Sequence, residues 1–161
     1  MRSTGLYKPF LAAMNATAIT MSPSDVYTGL ERGVVDGMAW PKGSITKQGW
    51  QKFLKYKITP NFYGATFMAT INLDKWNSLT QAERDFLTKV SADYEARSNA
   101  VVAKNLAIDE EKLAKAGVQN IDLTGDYAKA YLKTIYGAKW KVNDKYKYTV
   151  DYAKLKSLMY E

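Results

Sequence analysis

The longest regular pattern of apolar and polar positions runs from about residue 80 to residue 116. Apolar side chains recur there at helical spacing, and charged side chains fill the opposite positions. Thr80 and Glu83 have the spacing of a capping box, and Gly117 is a typical helix stop. We therefore predict one helix of roughly 36 residues, about 54 Å long at 1.5 Å per residue. Its apolar stripe is Phe86, Val90, Tyr94, Val101, Leu106 and Leu113.

Helical and extended patterns alternate in the first forty residues. Residues 6–14 read as a short helix, and residues 18–21 read as a brief strand. Ser22 is a predicted N-cap for a second helix that ends at Gly33. Residues 34–39 then read as a short buried strand that ends at Trp40. This alternation predicts an α/β fold in which helices flank a mixed sheet.

The rest of the chain adds further strands and helices to this picture. Residues 53–58 and 118–123 are predicted strands, and the apolar residues 65–72 are the best strand candidate of all. Two helices are predicted near the end, over residues 126–136 and 150–160. With 161 residues and no internal repeat or linker, the chain is expected to be one domain.

Composition excludes several kinds of chemistry. The chain has no cysteine, which rules out disulfides and thiolate metal sites, and no histidine, which removes the commonest general base and most zinc sites. A carboxylate-based hydrolase would need a convincing acid pair, and the sequence offers none. We therefore expect a protein that is not an enzyme and that has no metal site and no cofactor. No apolar run approaches the roughly 18–20 residues of a membrane span.

Positive charge is concentrated late in a chain whose net charge is +7. Residues 139–148 interleave lysines with aromatic side chains, and Lys154 and Lys156 follow. Such a segment could bind nucleic acid or another anionic surface, because aromatics stack and lysines neutralise phosphates. The alternative interpretation is a solvated helical face with tyrosines packed beneath it.

The most specific motif lies between residues 21 and 41. Six residues keep a characteristic spacing: Tyr27, Leu30, Gly33, Val35, Asp36 and Gly37. This run resembles a segment of the solute-binding proteins of TRAP (tripartite ATP-independent periplasmic) transporters. The likeness extends through residues 71–79 and the long helix, and it covers the second half of such a protein.

This resemblance implies both a fold and a function. Residues 1–161 would correspond to the carboxyl-terminal lobe of a two-lobed periplasmic-binding-protein-like fold, together with the long inter-lobe helix. The amino-terminal lobe and the signal peptide would be absent. The protein would be a periplasmic receptor that binds a small organic acid, such as a dicarboxylate, without chemistry. It would deliver this ligand to a membrane permease, with no nucleic-acid partner.

The resemblance also implies ligand-binding residues. Arg2 matches the position whose guanidinium clamps the ligand carboxylate, although Ser3 and Thr4 replace the Val-Pro pair that is common after it. Without the resemblance, Arg2 would be interpreted as part of a frayed terminus. Trp40 would stack on the ligand body, and Phe62 or Tyr63 would line the cleft or else belong to the core.

Three physical expectations follow. Part of the Trp40 ring should stay accessible, because a closed cleft needs a second lobe. The long helix should leave an apolar stripe bare, which favours self-association of this chain. The chain alone should bind small carboxylates no better than roughly millimolar, because it supplies only one wall of the cleft.

Overall fold

The computed structural model describes residues 1–64 and 68–160, apart from the side chain of Tyr160. It begins with strand β1 (Arg2–Ser3), helix α1 (Lys8–Ala13) and strand β2 (Ile19–Thr20). The two strands pair in parallel, with Arg2 opposite Ile19. Pro9 lies in the first turn of α1, where its missing N–H costs nothing, and the chain turns after the helix at Asn15, whose φ is 55°.

The predicted helix after residue 22 forms in two parts. A 3₁₀ turn at Pro23–Asp25 leads into helix α2 (Val26–Glu31). Ser22 does not cap a backbone amide, as the sequence pattern suggested, because its hydroxyl donates to the Asp25 carboxylate at 2.6 Å. Gly33 ends the element as predicted, with a φ of 68° that glycine adopts without strain.

The predicted strand over residues 34–39 is wrong. Only Met38 takes part in β-structure, through a single parallel bridge to Arg2. The amide of Val35 donates to the carbonyl of Gly29 in α2 instead, so this amide is not available for a hydrogen bond to a neighbouring strand. Even so, the segment remains beside β1, because the amide of Arg2 donates to the Gly37 carbonyl at 2.7 Å.

A second pair of strands lies further along the chain. Strand β3 (Tyr56–Thr59) pairs in parallel with strand β4 (Gln119–Asp122). The predicted mixed sheet is therefore not what residues 1–64 and 68–160 show, since their strands form two separate parallel pairs. The predicted strand over residues 65–72 falls partly outside the described residues, and residues 68–72 are not in a strand.

The long helix is present. After the short helix α3 (Leu73–Asn77), α4 spans Gln81–Lys115, which is 35 residues and about 52 Å. The Thr80–Glu83 capping box is formed as predicted, and Gly117 follows the helix with a φ of 79°. Only Asp109 and Leu113 are buried in α4. The helix therefore contacts the rest of the described chain mainly near its carboxyl end.

The chain ends with helices α5 (Gly125–Asn143) and α6 (Tyr152–Tyr160). Helix α5 packs against α1, and Ile135 is fully buried between them. Within the described ranges, no helix is long and apolar enough to cross a membrane. The core has two parts. The first contains Tyr7, Phe10, Leu11, Ala39 and Ile135, and the second contains Val26, Leu30, Val35 and Trp50.

Candidate ligand site around Arg2 and Trp40

Arg2 is buried, with only 2% of its surface exposed. Its backbone pairs with β2 on one side and with the Met38 segment on the other, which excludes the frayed-terminus interpretation. The guanidinium Nε donates to the Met21 carbonyl at 3.1 Å, and Nη1 donates to the Ala39 carbonyl at 3.4 Å. Arg2 therefore connects the two segments that flank α2.

The charge of Arg2 has an unusual environment. Within the described part of the chain, none of the ion pairs involves Arg2, and its guanidinium carbon lies 4.6 Å from the centre of the Trp40 ring. Burial lowers the pKa of Arg2 from its ordinary value, and the nearby Tyr7 phenol raises it in part. An arginine stays charged even so. A buried cation is therefore held by carbonyl dipoles and an aromatic face, with no carboxylate paired to it among the described residues.

Trp40 forms the solvent-facing side of this site. Its ring is half-buried and meets the ring of Trp50 edge to face, with the centroids 4.8 Å apart. Trp50 itself is 1% exposed and belongs to the second core cluster. The expectation that part of Trp40 stays accessible is met in this chain, while its contact with a ligand remains a prediction.

Phe62 and Tyr63 lie against the first core cluster. Phe62 meets Phe10 edge to face at 4.8 Å, and Tyr63 stacks on Tyr7 with the rings 6.1 Å apart. The Tyr63 hydroxyl is buried and has no hydrogen-bond partner among the described residues. Burial raises its pKa, as do the neighbouring Tyr136 and Tyr7 phenols. Both side chains are half-buried, so each is part of the core and could still line a cleft.

Tyr7 is the residue that sequence reasoning missed. It is buried, it stacks on Tyr63, and it interacts electrostatically with Arg2. Burial raises the pKa of Tyr7, and the charge of Arg2 lowers it in part. Tyr7 thus lies near Arg2 and in ring contact with Tyr63. A signal was present, because Tyr7, Phe10 and Leu11 share a helix face at i, i+3 and i+4.

The Lys/Tyr-rich carboxyl-terminal segment forms a separate cluster. The rings of Tyr148 and Tyr152 stack 4.5 Å apart, and Trp140 meets Tyr152 edge to face. Lys156 lies 5.6 Å from the Trp140 ring centre. These aromatic rings are thus packed on one another.

Among the described residues, no group of three or more acidic side chains could hold a metal ion.

Comparison with known proteins assigns the family. The model for bacterial extracellular solute-binding proteins of family 7, DctP, matches residues 1–140 of this chain. The chain belongs to this family. The match confirms the resemblance to TRAP-type solute-binding proteins that the 21–41 motif predicted.

The curated relatives of this family 7 chain include one protein from Haemophilus influenzae and one from Roseobacter denitrificans. An uncharacterized protein of Haemophilus influenzae is 28% identical over 112 residues, which cover 70% of this chain and 34% of that protein. A solute-binding protein of Roseobacter denitrificans is 22% identical over 120 residues, or 74% of this chain and 37% of the relative. The matched segments thus cover little more than a third of each relative.

Proposed function

We propose that this family 7 chain supplies one wall of a receptor site for a small organic acid, in which Arg2 binds the ligand carboxylate. The observation that carries the proposal is the buried Arg2 guanidinium without an acidic partner in the described chain. Burying a cation is costly unless an anion compensates it. A carboxylate supplies that anion and matches the planar guanidinium fork.

The geometry of the fork is compatible with this role. The Nε atom of Arg2 donates to the Met21 carbonyl, and its Nη1 atom makes only a long bond of 3.4 Å to the Ala39 carbonyl. The Nη2 atom makes no hydrogen bond within the described residues, so it can donate to a ligand. Trp40 covers the guanidinium face, so the ligand would enter beside a half-buried ring. In this proposal Trp40 stacks on the ligand body, and Phe62 and Tyr63 form the far wall.

The chain would act as the carboxyl-terminal lobe of a two-lobed receptor. Its accessible surface is 12060 Å², whereas a compact monomer of 18.1 kDa exposes only about 8,100 Å². This excess supports a second lobe, lying across the cleft and along α4. The receptor would work in the periplasm, bind its ligand without chemistry and deliver it to a membrane permease. In the absence of that lobe, two copies of this chain would associate through α4.

Calorimetry on two forms of the protein tests the proposal. The 161-residue chain and a two-lobed form would be titrated with dicarboxylates, keto acids and aromatic acids. We expect the chain alone to bind no better than roughly millimolar, because one wall leaves most of the ligand exposed. The two-lobed form should bind at about micromolar or below, which corresponds to about 8 kcal/mol. Micromolar binding by the chain alone would refute the shared cleft.

A further inference from the structure

An open groove lies between α1 and α5, away from the Arg2 guanidinium. Its volume is about 610 Å³, and its floor is made of small or apolar side chains: Pro9, Ala13, Ala138 and Val142. Gly137 lies at the middle of the α5 side. A methyl group placed there would meet no atom within 4 Å, so the space above this glycine is open.

Lysines form one edge of the groove. Lys133 and Lys141 lie on α5 four residues before and after Gly137, Lys145 follows just after the end of that helix, and no acidic residue of the described chain lines the groove. Lys141 and Lys145 form no ion pair in the described ranges. The nearby Asp144 carboxylate is engaged elsewhere, since it accepts from the Tyr152 hydroxyl at 2.9 Å and lies 3.9 Å from Lys156.

We propose that this groove docks an acidic segment of another protein. One apolar side chain of that segment would lie over Gly137, and its carboxylates would pair with Lys141 and Lys145. Two observations select this chemistry. Lys141 and Lys145 are exposed at the groove and form no ion pair within the described residues, and the lining between the two helices is mainly apolar. Charge complementarity at the rim would set orientation and association rate, and the apolar contact would supply affinity.

The shape of the site favours a protein segment over a lipid bilayer. The apolar lining residues surround a concave space of about 610 Å³ between two helices, which a single side chain can enter. Apolar residues that bind membranes instead stand out from the surface. The groove is also separate from the proposed carboxylate site, so its test does not depend on that assignment.

The test uses synthetic peptides as probes and the complete chain as receptor. The first probe is a 15-residue helical peptide with one leucine flanked by glutamates at i−4 and i+4. The second replaces the leucine by alanine, and the third replaces the glutamates by lysines. Binding is measured at low salt from the fluorescence of the protein, since Trp140 lies on α5. We expect the first peptide to bind at least tenfold more tightly than either of the others.

Three variants locate the binding site. Gly137→Leu fills the groove and should weaken binding at least tenfold while keeping the fold, because leucine is the better helix former. The double variant Lys141→Glu/Lys145→Glu should also weaken binding of the first peptide at least tenfold. The matched control Lys147→Glu/Lys154→Glu makes the same charge change at two exposed lysines that do not line the groove, and it should retain binding within threefold. Melting temperatures of all variants check the fold.

Several results would overturn the proposal. They are no binding of the first peptide, equal binding of the alanine peptide, or equal loss in the control variant. Sedimentation with vesicles containing 30% phosphatidylglycerol tests whether the groove binds lipid instead of a peptide. If the wild-type chain binds these vesicles more tightly than the peptide, and Gly137→Leu abolishes this, the site is a lipid site and the peptide proposal is wrong.

Discussion

At the scale of single residues, Arg2 and Asp109 show two ways of holding a buried charge. Asp109 accepts three bonds from the start of the 3₁₀ turn at Thr46–Gln48: from the amides of Ile45 and Thr46 at 3.1 and 2.9 Å, and from the Thr46 hydroxyl. Within the described residues, Arg2 has only two, to carbonyl oxygens. The Asp109 carboxylate thus finds its partners within the chain, whereas the Arg2 guanidinium has no acidic partner among the described residues, as the proposed carboxylate site requires.

Replacing Arg2 by lysine tests the proposed carboxylate clamp. In a two-lobed receptor, Arg2→Lys should weaken ligand binding at least tenfold, because lysine keeps the charge but loses the planar fork. Tenfold corresponds to about 1.4 kcal/mol, which isothermal calorimetry resolves. Arg32→Lys is the matched control, since Arg32 is exposed just after α2, and it should bind normally. Unchanged affinity in Arg2→Lys would exclude the clamp.

Replacing Asp109 tests the attachment of α4 to the loop after Trp40. Asp109→Ala leaves the two amides and one hydroxyl without their partner, and unfolding should become easier by about 1–3 kcal/mol. Asp93→Ala removes an exposed carboxylate from the same helix and should change stability by less than about 0.5 kcal/mol. Chemical denaturation measures both. Equal stability of the two variants would show that the Asp109 bonds contribute little.

At the scale of elements, α4 is held differently at its two ends. Near its carboxyl end, Glu110 accepts from Lys57 of β3 and lies 3.5 Å from Lys42, while Leu106 packs on Gly43. The Lys57 bond is the main cause of the lowered pKa of Glu110. At the amino end, α4 has its own capping box, in which the Thr80 amide and hydroxyl donate to Glu83 at 2.7 and 2.8 Å, and one long bond from Arg84 to the Trp76 carbonyl at 3.5 Å.

This capping box predicts a pH-dependent amino end of α4. The bonds from Thr80 lower the pKa of Glu83 below its ordinary 4.5. A lowered carboxyl pKa stabilises the folded helix above pH 4.5, and this contribution is lost as the pH falls through the folded-state pKa. The protection factors of the Glu83 and Arg84 amides, which correct for the slower intrinsic exchange at acidic pH, should therefore fall in that range.

Two variants separate the cap from the charge. Glu83→Gln should abolish the pH response, whereas Glu95→Gln, in the middle of the same helix, should keep it. Thr80→Ala should weaken the local helix by about 1 kcal/mol at neutral pH, because it removes the N-cap. An identical pH response in Glu83→Gln would assign the titration to another group.

At the scale of the whole molecule, the apolar stripe of α4 is largely bare. Phe86 is 65% exposed and Tyr94 is 66% exposed, and Val90 and Val101 are exposed as well. An extended apolar surface of this kind typically marks an interface. The chain also has a larger accessible surface than a compact monomer of its mass, which likewise indicates that a partner covers part of it.

Self-association of the 161-residue chain remains a prediction. We expect sedimentation equilibrium to show a concentration-dependent dimer, because pairing two α4 stripes removes apolar surface from water. Phe86→Glu/Tyr94→Glu should shift the chain to monomer. The control Ala92→Glu/Ala103→Glu adds the same charges at exposed positions on the opposite face of α4 and should dimerise normally. A monomer at the highest accessible concentration would contradict this expectation.

The sequence by itself determined the elements whose signals are local. The capping box and Gly117 bounded α4 closely, Gly33 ended α2, and the 21–41 motif identified the family. These succeeded because caps, left-handed glycines and helical spacing depend on neighbouring residues alone. From the resemblance, Arg2 and Trp40 were named together, and they do lie in contact.

Only the tertiary structure decided which partners the backbone and the side chains would find. The predicted strand over residues 34–39 failed because the Val35 amide bonds to Gly29, a choice that depends on how α2 ends. The burial of Arg2 and the stacking of Tyr7 on Tyr63 arise from contacts between distant segments. The bare stripe on α4 likewise followed from the packing, because helical spacing identifies an apolar face but not what covers it.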